Sequence, residues 1–357
     1  MSSAENKTVL AKAELILGNS NPRFSGVTST MLQVLKIQKE LTPLVVLGRH
    51  HVPEGVQVIG FWQAARLYWQ PLRDGRWRVF HARRNNEMIQ ALLLRYLFRA
   101  KIKIIFTSTA QRHKTWVTRW LMRQMDGLLS TCTAAARYMP DAPDRLIPHG
   151  IDHQLYYPAE DRSAVWRQLA LPCRYGIGIF GRVRHQKGVD LLIDAAILVL
   201  PRYPEFIVVV VGEITPDQQG FVQAQKEKLR EAGLEDRVVF TGGLPFEQVP
   251  MYFRAMSVIT ALSRNEGFGL TVLEAMSSGI AVVATEAGAW PDIVDDGNDG
   301  FLIPTDDVQA LAARLTTLMD NEDLRSRMGN NGREKILANY TIEREAKALL
   351  NYYRTFG

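Results

Sequence analysis

Residues 257–279 read SVITALSRNEGFGLTVLEAMSSG, and the order of chemistries in that stretch decides the fold. "SVITAL" is a short run of apolar and β-branched residues, the pattern of one buried strand. "SRNEGFG" then supplies a turn in which Gly267 and Gly269 permit close backbone approach, and "LTVLEAMSSG" sets Leu270, Leu273 and Met276 along one helical stripe. Strand, glycine-rich turn and helix together make one unit of an α/β domain. The free N–H groups at the start of that helix favour an anion. Glu266 stands just before the helix and Glu274 about one turn inside it. Carboxylates so placed suit the hydroxyl groups of a ribose or another sugar; taken singly, each also reads as a helix cap or a solvated side chain.

The same grammar runs outward in both directions. "YGIGIFG" (175–181) predicts a strand, and "GRVRHQKGVDLLIDA" (181–195) leaves it at Gly181 and enters a helix near Val189, with Arg182, Arg184 and Lys187 on the connecting loop. A phosphate or diphosphate fits such a loop beside a helix N-terminus. "GIGIFG" matches the dinucleotide pattern literally, but Gly176 and Gly178 alternate with isoleucines inside the strand instead of forming the turn, so a hydride-transfer reading is set aside. Further strands are predicted at "FIVVVVG" (206–212), "RVVFTG" (237–242), "IAVVAT" (280–285) and "GFLIP" (300–304). Upstream, "AELILG" (13–18), "PLVVLG" (43–48), "WRVFHA" (77–82), "KIKIIFTS" (101–108) and "GLLSTC" (127–132) predict strands, with helices over 28–41 and 86–99. Alternating strands and helices imply parallel sheets.

A chain of 357 residues suits two domains of comparable size. "HQLYYPAEDRSAVWRQLALP" (153–172) is the candidate linker, which gives domains 1–160 and 161–340, with a C-terminal helix near 341–357 packing back on the first. The expected fold is two doubly wound Rossmann-like domains facing across a cleft. Cys132 and Cys173 have no metal, redox or disulfide spacing, and a reducing cytoplasmic setting is expected. No export signal or spanning segment is legible. A net charge of +6 calls for an anionic partner without choosing among nucleic acid, phosphorylated substrate and lipid surface.

The pattern E-G-F-G-L-x-x-x-E at 266–274, preceded by G-R-x-x-x-x-K-G at 181–188 and followed by "AVVATEAGAWPDIVDDGNDGFLIP" (281–304), resembles the retaining nucleotide-sugar glycosyltransferases of family 4, which have the GT-B architecture. The likeness spans the second half; in the first half it rests on "SGV" near 26, "FHAR" near 81 and "PHGID" near 150, and the first-half segments look most like bacterial lipopolysaccharide-core mannosyltransferases. The resemblance implies a donor site in the second domain, probed by GDP-mannose first among hexose donors. It places the diphosphate at Arg182 and Lys187, the ribose at Glu274, the donor sugar and diphosphate at Glu266 with the backbone of Gly267, Phe268, Gly269 and Leu270, and the base near Gly243 and Leu244. Gly26 would approach the diphosphate from the first domain, although the family's glycine pair is here Ser25-Gly26. The departing diphosphate would receive the proton of the acceptor hydroxyl.

Two departures bear on mechanism. Where many members carry a histidine at the end of the strand matching "KIIFTST", this chain has Thr109, and His113 lies one turn later; whether His113 substitutes is open on the sequence. No Asp-x-Asp triplet occurs, so no metal or other cofactor is expected. A nucleotide-sugar epimerase and a non-enzymatic binder of an anionic surface are the rival readings. Residues 111–125, QRHKTWVTRWLMRQM, mix Arg112, Lys114, Arg119 and Arg123 with Trp116 and Trp120, and "FWQAARLYWQPLRDGRW" (61–77) adds a second aromatic and basic cluster. Trp116 and Trp120 share a helical face, which suits either a bilayer interface or the core. The expected partners are a nucleotide sugar, an anionic glycolipid acceptor and the cytoplasmic face of the inner membrane, with nucleic acid not among them.

Overall fold

The computed structural model describes residues 10–23 and 25–356. Residues 1–9, the start of the expected first domain, lie outside the described residues. The chain divides into two compact units, one comprising residues up to Gly150 together with Ile342 onward, the other Ile151–Thr341.

The first unit is built on seven strands: β1 (Leu15–Gly18), β2 (Leu44–Leu47), β3 (Val58–Ile59), β4 (Arg78–Ala82), β5 (Ile102–Ser108), β6 (Gly127–Ser130) and β7 (Arg145–Leu146). They pair in parallel in the order β3-β2-β1-β4-β5-β6-β7. β3 and β7, two residues each, have no counterpart in the sequence reading, because two residues carry no periodicity. Helices fall where the 3.6-residue apolar stripe lies: Gly26–Leu41 buries Met31, Val34 and Leu35 on one face of the sheet, and Asn85–Tyr96 buries Met88, Ala91, Leu92 and Leu94 on the other.

The second unit holds β8 (Tyr175–Phe180), β9 (Phe206–Val211), β10 (Val238–Gly242), β11 (Val258–Ala261), β12 (Ala281–Thr285) and β13 (Gly300–Ile303), all parallel, in the order β10-β9-β8-β11-β12-β13. Its strands are largely apolar, β9 being a run of Phe, Ile and valines, as strands covered by helices on both faces read. In each unit the strand order reverses once, beside β1 in the first and between β8 and β11 in the second. The crevice outside the carboxyl ends at such a reversal is where doubly wound sheets bind ligands.

One of the two boundaries differs from the sequence reading. The division falls at Gly150–Ile151 instead of near 160, because the polar stretch taken for a linker is packed into the second unit: Tyr156 is fully buried, its carbonyl accepts from Ser277 Oγ at 2.6 Å and from Arg333 at 2.9 Å, and Arg162–Gln168 is a helix seated on Trp166. At the other end, the helix Ile342–Tyr353 lays Leu349, Leu350, Tyr352 and Tyr353 against Leu15, Leu17, Val34 and Leu35 of the first unit.

Gly188 shows how tightly the second unit's loops are set. It has φ +72°, and a Cβ there would run into the Leu262 carbonyl, whereas at Gly26 an added Cβ meets nothing within 4 Å. Gly188→Ala should therefore lower unfolding free energy by about 1–3 kcal/mol and Gly26→Ala by under about 0.5 kcal/mol, read from urea midpoints at constant m-value. Equal losses at the two positions would refute this account of the loop.

Candidate active site

The second unit's switch point is built by two loops. After β8, Gly181 turns the chain at φ +118° and Arg182–Gly188 follow, with His185–Lys187 in a single 3-10 turn ahead of the helix Val189–Val199. After β11, residues 262–269 lead to Gly269, at φ +84°, which opens the helix Leu270–Ser277. Trp290 Nε1 donates to the Gly269 carbonyl at 2.9 Å, and its ring fills the space a side chain at Gly269 would need.

The loops are bolted together. Arg264 donates to both carboxylate oxygens of Asp190, at 3.0 and 2.9 Å, reaches Asp306 at 2.6 Å, and also donates to the His185 carbonyl. Its backbone N–H donates to the Gln186 carbonyl at 2.9 Å. The Lys187 ammonium donates to Glu266 Oε2, which also accepts from Ser263 Oγ at 3.1 Å, while the Gly267 N–H donates to Oε1 at 3.2 Å. Behind this pair lies Glu274. Burial pushes its carboxyl up to about 7, against the opposing pull of the Tyr156 hydroxyl, hydrogen-bonded to it, and of the Lys187 charge. Burial, with Glu274 next in order, also raises the Tyr156 phenol.

Arg182 points elsewhere. It is exposed and pairs with Glu213 at 3.4 Å at the end of β9, and Gly243, beyond the end of β10, packs beside Glu213 with Leu244 half-buried next to it. Lys187, Glu266 and Glu274 are thus one cluster, and Arg182, Gly243 and Leu244 a second along the same strand-end edge. Phe268 is buried and its carbonyl accepts from Ala289 at 3.0 Å, so the 267–270 backbone is fixed from behind.

In the first unit, Gly26 opens the helix Gly26–Leu41 with open space above it, and Ser25 accepts a hydrogen bond from Arg84 at 2.9 Å. A cavity of about 720 Å³ at the carboxyl ends of β4 and β5 is lined by Arg83, Arg84, Thr109, Arg112, His113 and Lys114 among others. His113 is exposed, edge-on to the Tyr138 ring at 5.3 Å. Lys114 donates to the Ala110 carbonyl at 2.8 Å, and burial followed by the nearby Arg112 charge lowers its pKa.

The helix in the aromatic stretch is shorter than 111–125: it runs Trp116–Met122, so Arg112 and Lys114 lie in the preceding loop and Arg123 caps the end, 3.6 Å from Asp141. Trp116 and Trp120 are 74% and 54% exposed, which removes the core reading; Leu121 and Met122 fill the core instead. Trp62, 68% exposed, and Ile89, Leu93, Tyr96 and Leu97 extend this apolar surface over the helices Phe61–Leu67 and Asn85–Tyr96, whose opposite faces enter the same core as Leu121 and Met122.

Residues 174–335 match the family Glycosyl transferases group 1. The lipopolysaccharide core biosynthesis mannosyltransferase LpcC of Rhizobium leguminosarum bv. viciae is 38% identical over 96% of this chain and 96% of its own. The chain belongs to the group 1 glycosyltransferases. Among solved structures, the C-terminal domain of LpcC from Francisella tularensis is 40% identical, covering 54% of this chain and all of that one, with a TM-score of 0.53. The Anabaena protein HepE, solved with UDP, is 18% identical and superposes over 96% of this chain and all of its own with a TM-score of 0.81. The fold is GT-B and the chain is an enzyme, which retires the reading of a non-enzymatic binder.

Tyr156, Ser263 and Trp290, which position the carboxylates and the Gly269 turn, carry no local signal of that role in the sequence. Only tertiary contact reveals them, since Tyr156 sits in an apparent linker.

Glu274 makes stability depend on pH. Its folded value of about 7 stands above an ordinary 4.5, so folding takes up a proton, and stability contributed by the neutral form is lost as pH rises through this window. Glu274→Gln should therefore raise Tm at pH 8, an effect of at most about 3 kcal/mol, and leave Tm unchanged at pH 4. Parallel Tm–pH curves for the two proteins would refute the assignment.

Proposed function

We propose that the enzyme moves a mannosyl group from GDP-mannose to an inner-core sugar of a lipopolysaccharide precursor, with retention at the anomeric carbon. The observation that carries this reading is the Lys187–Glu266–Glu274 cluster at the second unit's switch point, in a chain 38% identical over 96% of its length to a lipopolysaccharide core mannosyltransferase. Lys187 neutralises the leaving diphosphate, and Arg182 leaves Glu213 to join it. Glu274 accepts hydrogen bonds from the ribose hydroxyls, and Glu266 with the 267–270 backbone orients the donor sugar. Gly243 and Leu244 border the base.

In the transfer itself, the bond from the anomeric carbon to the diphosphate oxygen breaks and a bond to the acceptor oxygen forms on the same face. The acceptor's proton passes to a diphosphate oxygen. Fixed positive charge at the departing group is the main rate-enhancing factor. No protein-held metal takes part in this scheme, so turnover should persist in excess EDTA.

Lys187→Ala should lower turnover by ~10²-fold or more without unfolding the protein, by analogy with losing one oxyanion donor. A thermal-shift panel of nucleotide sugars should show GDP-mannose stabilising the protein most, since a ligand in excess of its Kd stabilises by RT ln(1 + [L]/Kd). Near-normal turnover in folded Lys187→Ala, or stabilisation by UDP-sugars alone, would overturn the respective assignments.

The exposed surface around Trp62, Trp116 and Trp120, with Arg119 and Arg123 at its edge, is assigned to the cytoplasmic face of the inner membrane, where the acceptor's lipid resides. Among the described residues no helix is long and apolar enough to cross a membrane. Aromatic residues at the headgroup level with arginines meeting anionic lipids suit peripheral binding. Sedimentation with anionic liposomes should be salt-sensitive and weakened in Arg119→Glu/Arg123→Glu, while activity on a short soluble acceptor survives. Absence of liposome binding at low salt would refute this surface.

A further inference from the structure

Tyr156 reaches the second unit's switch point from a segment that reads as linker, and several elements fix it there. Its backbone carbonyl accepts from Ser277 Oγ at 2.6 Å and from Arg333 at 2.9 Å, so the helices Leu270–Ser277 and Glu322–Asn339 both hold it. Its buried ring lies edge-on to Phe253 at 5.3 Å, and Phe253 in turn stacks on Phe180, the last residue of β8. This anchoring delivers one hydroxyl to the side chain of Glu274. A phenylalanine would fill the same space, so packing does not account for the hydroxyl.

Glu274 keeps part of its surface open. Two groups act on its charge, the Tyr156 hydroxyl and, from the loop after β8, the Lys187 ammonium, which donates to Glu266. Asp152 acts on Tyr156, and Arg333 is engaged with the carbonyls of His153, Tyr156 and Ser277. One phenol occupies one of about four lone-pair sites on a carboxylate, which leaves room for a diol.

A ribose presents two adjacent hydroxyls, and an ionised carboxylate accepts from both in charge-assisted bonds, whereas a neutral carboxyl must use one oxygen as a donor. Burial, opposed by Tyr156 and Lys187, pushes the Glu274 carboxyl up to about 7. Below that pH the protein favours the neutral form, while a diol favours the charged one.

We propose that the Tyr156 hydroxyl is a positioning group for the donor's ribose, and that donor binding is coupled to release of the Glu274 carboxyl proton to solvent. This inference rests on the transfer reading above, in which Glu274 takes the ribose. The carboxyl O–H bond breaks, the proton passes to water or buffer, and the carboxylate left behind accepts from Tyr156 and from the two ribose hydroxyls. Tyr156 favours this step because it donates to the ionised form and fixes one of its oxygens.

The test is calorimetric titration of GDP-mannose and, separately, UDP-glucose into the full chain, in buffers of different ionisation heat. Both probes carry ribose, and as diphosphate diesters neither titrates near pH 7. With the native chain, affinity should rise as pH rises through the Glu274 window, and binding near pH 6.5 should release up to about one proton. Glu274→Gln should release none and show a flat profile. Tyr156→Phe, which keeps the ring against Phe253, should weaken the probe about tenfold at pH 7 and about threefold or less at pH 8.5, because the loss of a donor to the carboxylate moves the window upward. Added to Glu274→Gln, the same change should alter affinity by less than about twofold.

Absence of proton release by the native chain near pH 6.5 would overturn the proposal without recourse to any variant. A loss in Tyr156→Phe of the same size at both pH values, as a purely structural role would give, would also overturn it, and either result leaves the transfer reading standing. Failure of both probes to bind at any pH would overturn the transfer reading and this proposal with it.

Discussion

The Lys187–Glu266 contact is the constraint on which the second unit's switch point depends. Two loops leave adjacent parallel strands, β8 and β11, at the only place in that sheet where the chain's direction of winding reverses, and each ends in a helix N-terminus. Neither loop could hold a lone buried ion without a large desolvation cost, so each supplies one member of a pair. Arg264, clamped on Asp190 and on the His185 carbonyl, and Trp290, clamped on the Gly269 carbonyl, remove the freedom that would let the pair drift apart. The pair is also a ready exchange site. On the proposed reading, a phosphate oxygen competes with Glu266 for the ammonium, and Glu266, released, becomes an acceptor for sugar hydroxyls. Glu274, its pKa raised by burial, is likewise disfavoured as a carboxylate.

The first unit has the same doubly wound topology and opposite chemistry at its strand ends. There, cations collect without carboxylates at the cavity wall, and the one acid nearby, Glu87, is buried in backbone and Arg84 hydrogen bonds. A sheet topology fixes where a ligand sits; the loop residues fix which charge it carries.

Strand and helix positions were legible because parallel strands buried on both faces read as apolar runs and the helices as stripes, as at 206–212 and 28–41. The loop at 181–188 and the two glutamates were legible because glycine, cation and carboxylate spacing is local. What escaped the sequence is whatever depends on partners far away in the chain. Tyr156 reads as linker until Glu274 and Phe253 are seen against it, at 118 and 97 residues' separation on the numbering. Arg182 and Lys187, five positions apart, read as one cationic pair, yet the first faces Glu213 and the second Glu266. Trp116 and Trp120 were ambiguous because exposure depends on which face a seven-residue helix offers its sheet, and periodicity alone is indifferent to that choice.

The placement of the helix Ile342–Tyr353 has a consequence for how the chain can be cut. It fills the first unit's core beside β1 and the helix Gly26–Leu41, and its polar groups are equally committed there: Tyr353 OH meets His81 Nδ1 at 2.6 Å, His81 Nε2 meets Thr107 Oγ1 at 2.7 Å, and Glu345 holds His149 Nδ1 at 2.9 Å and the Gly150 N–H at 2.8 Å. Burial drives the His81 pKa well below its ordinary range, so it serves as a neutral bridge with both ring nitrogens used. A fragment ending at Gly150 would open that core and remove the Tyr353 partner of His81 and the Glu345 partner of His149, so the first unit is a discontinuous folding unit that closes only after the second has been synthesised. Ile151–Thr341 carries its own core and its own switch-point loops, with its first and last residues bridged to each other, and is the part of the chain suited to folding alone.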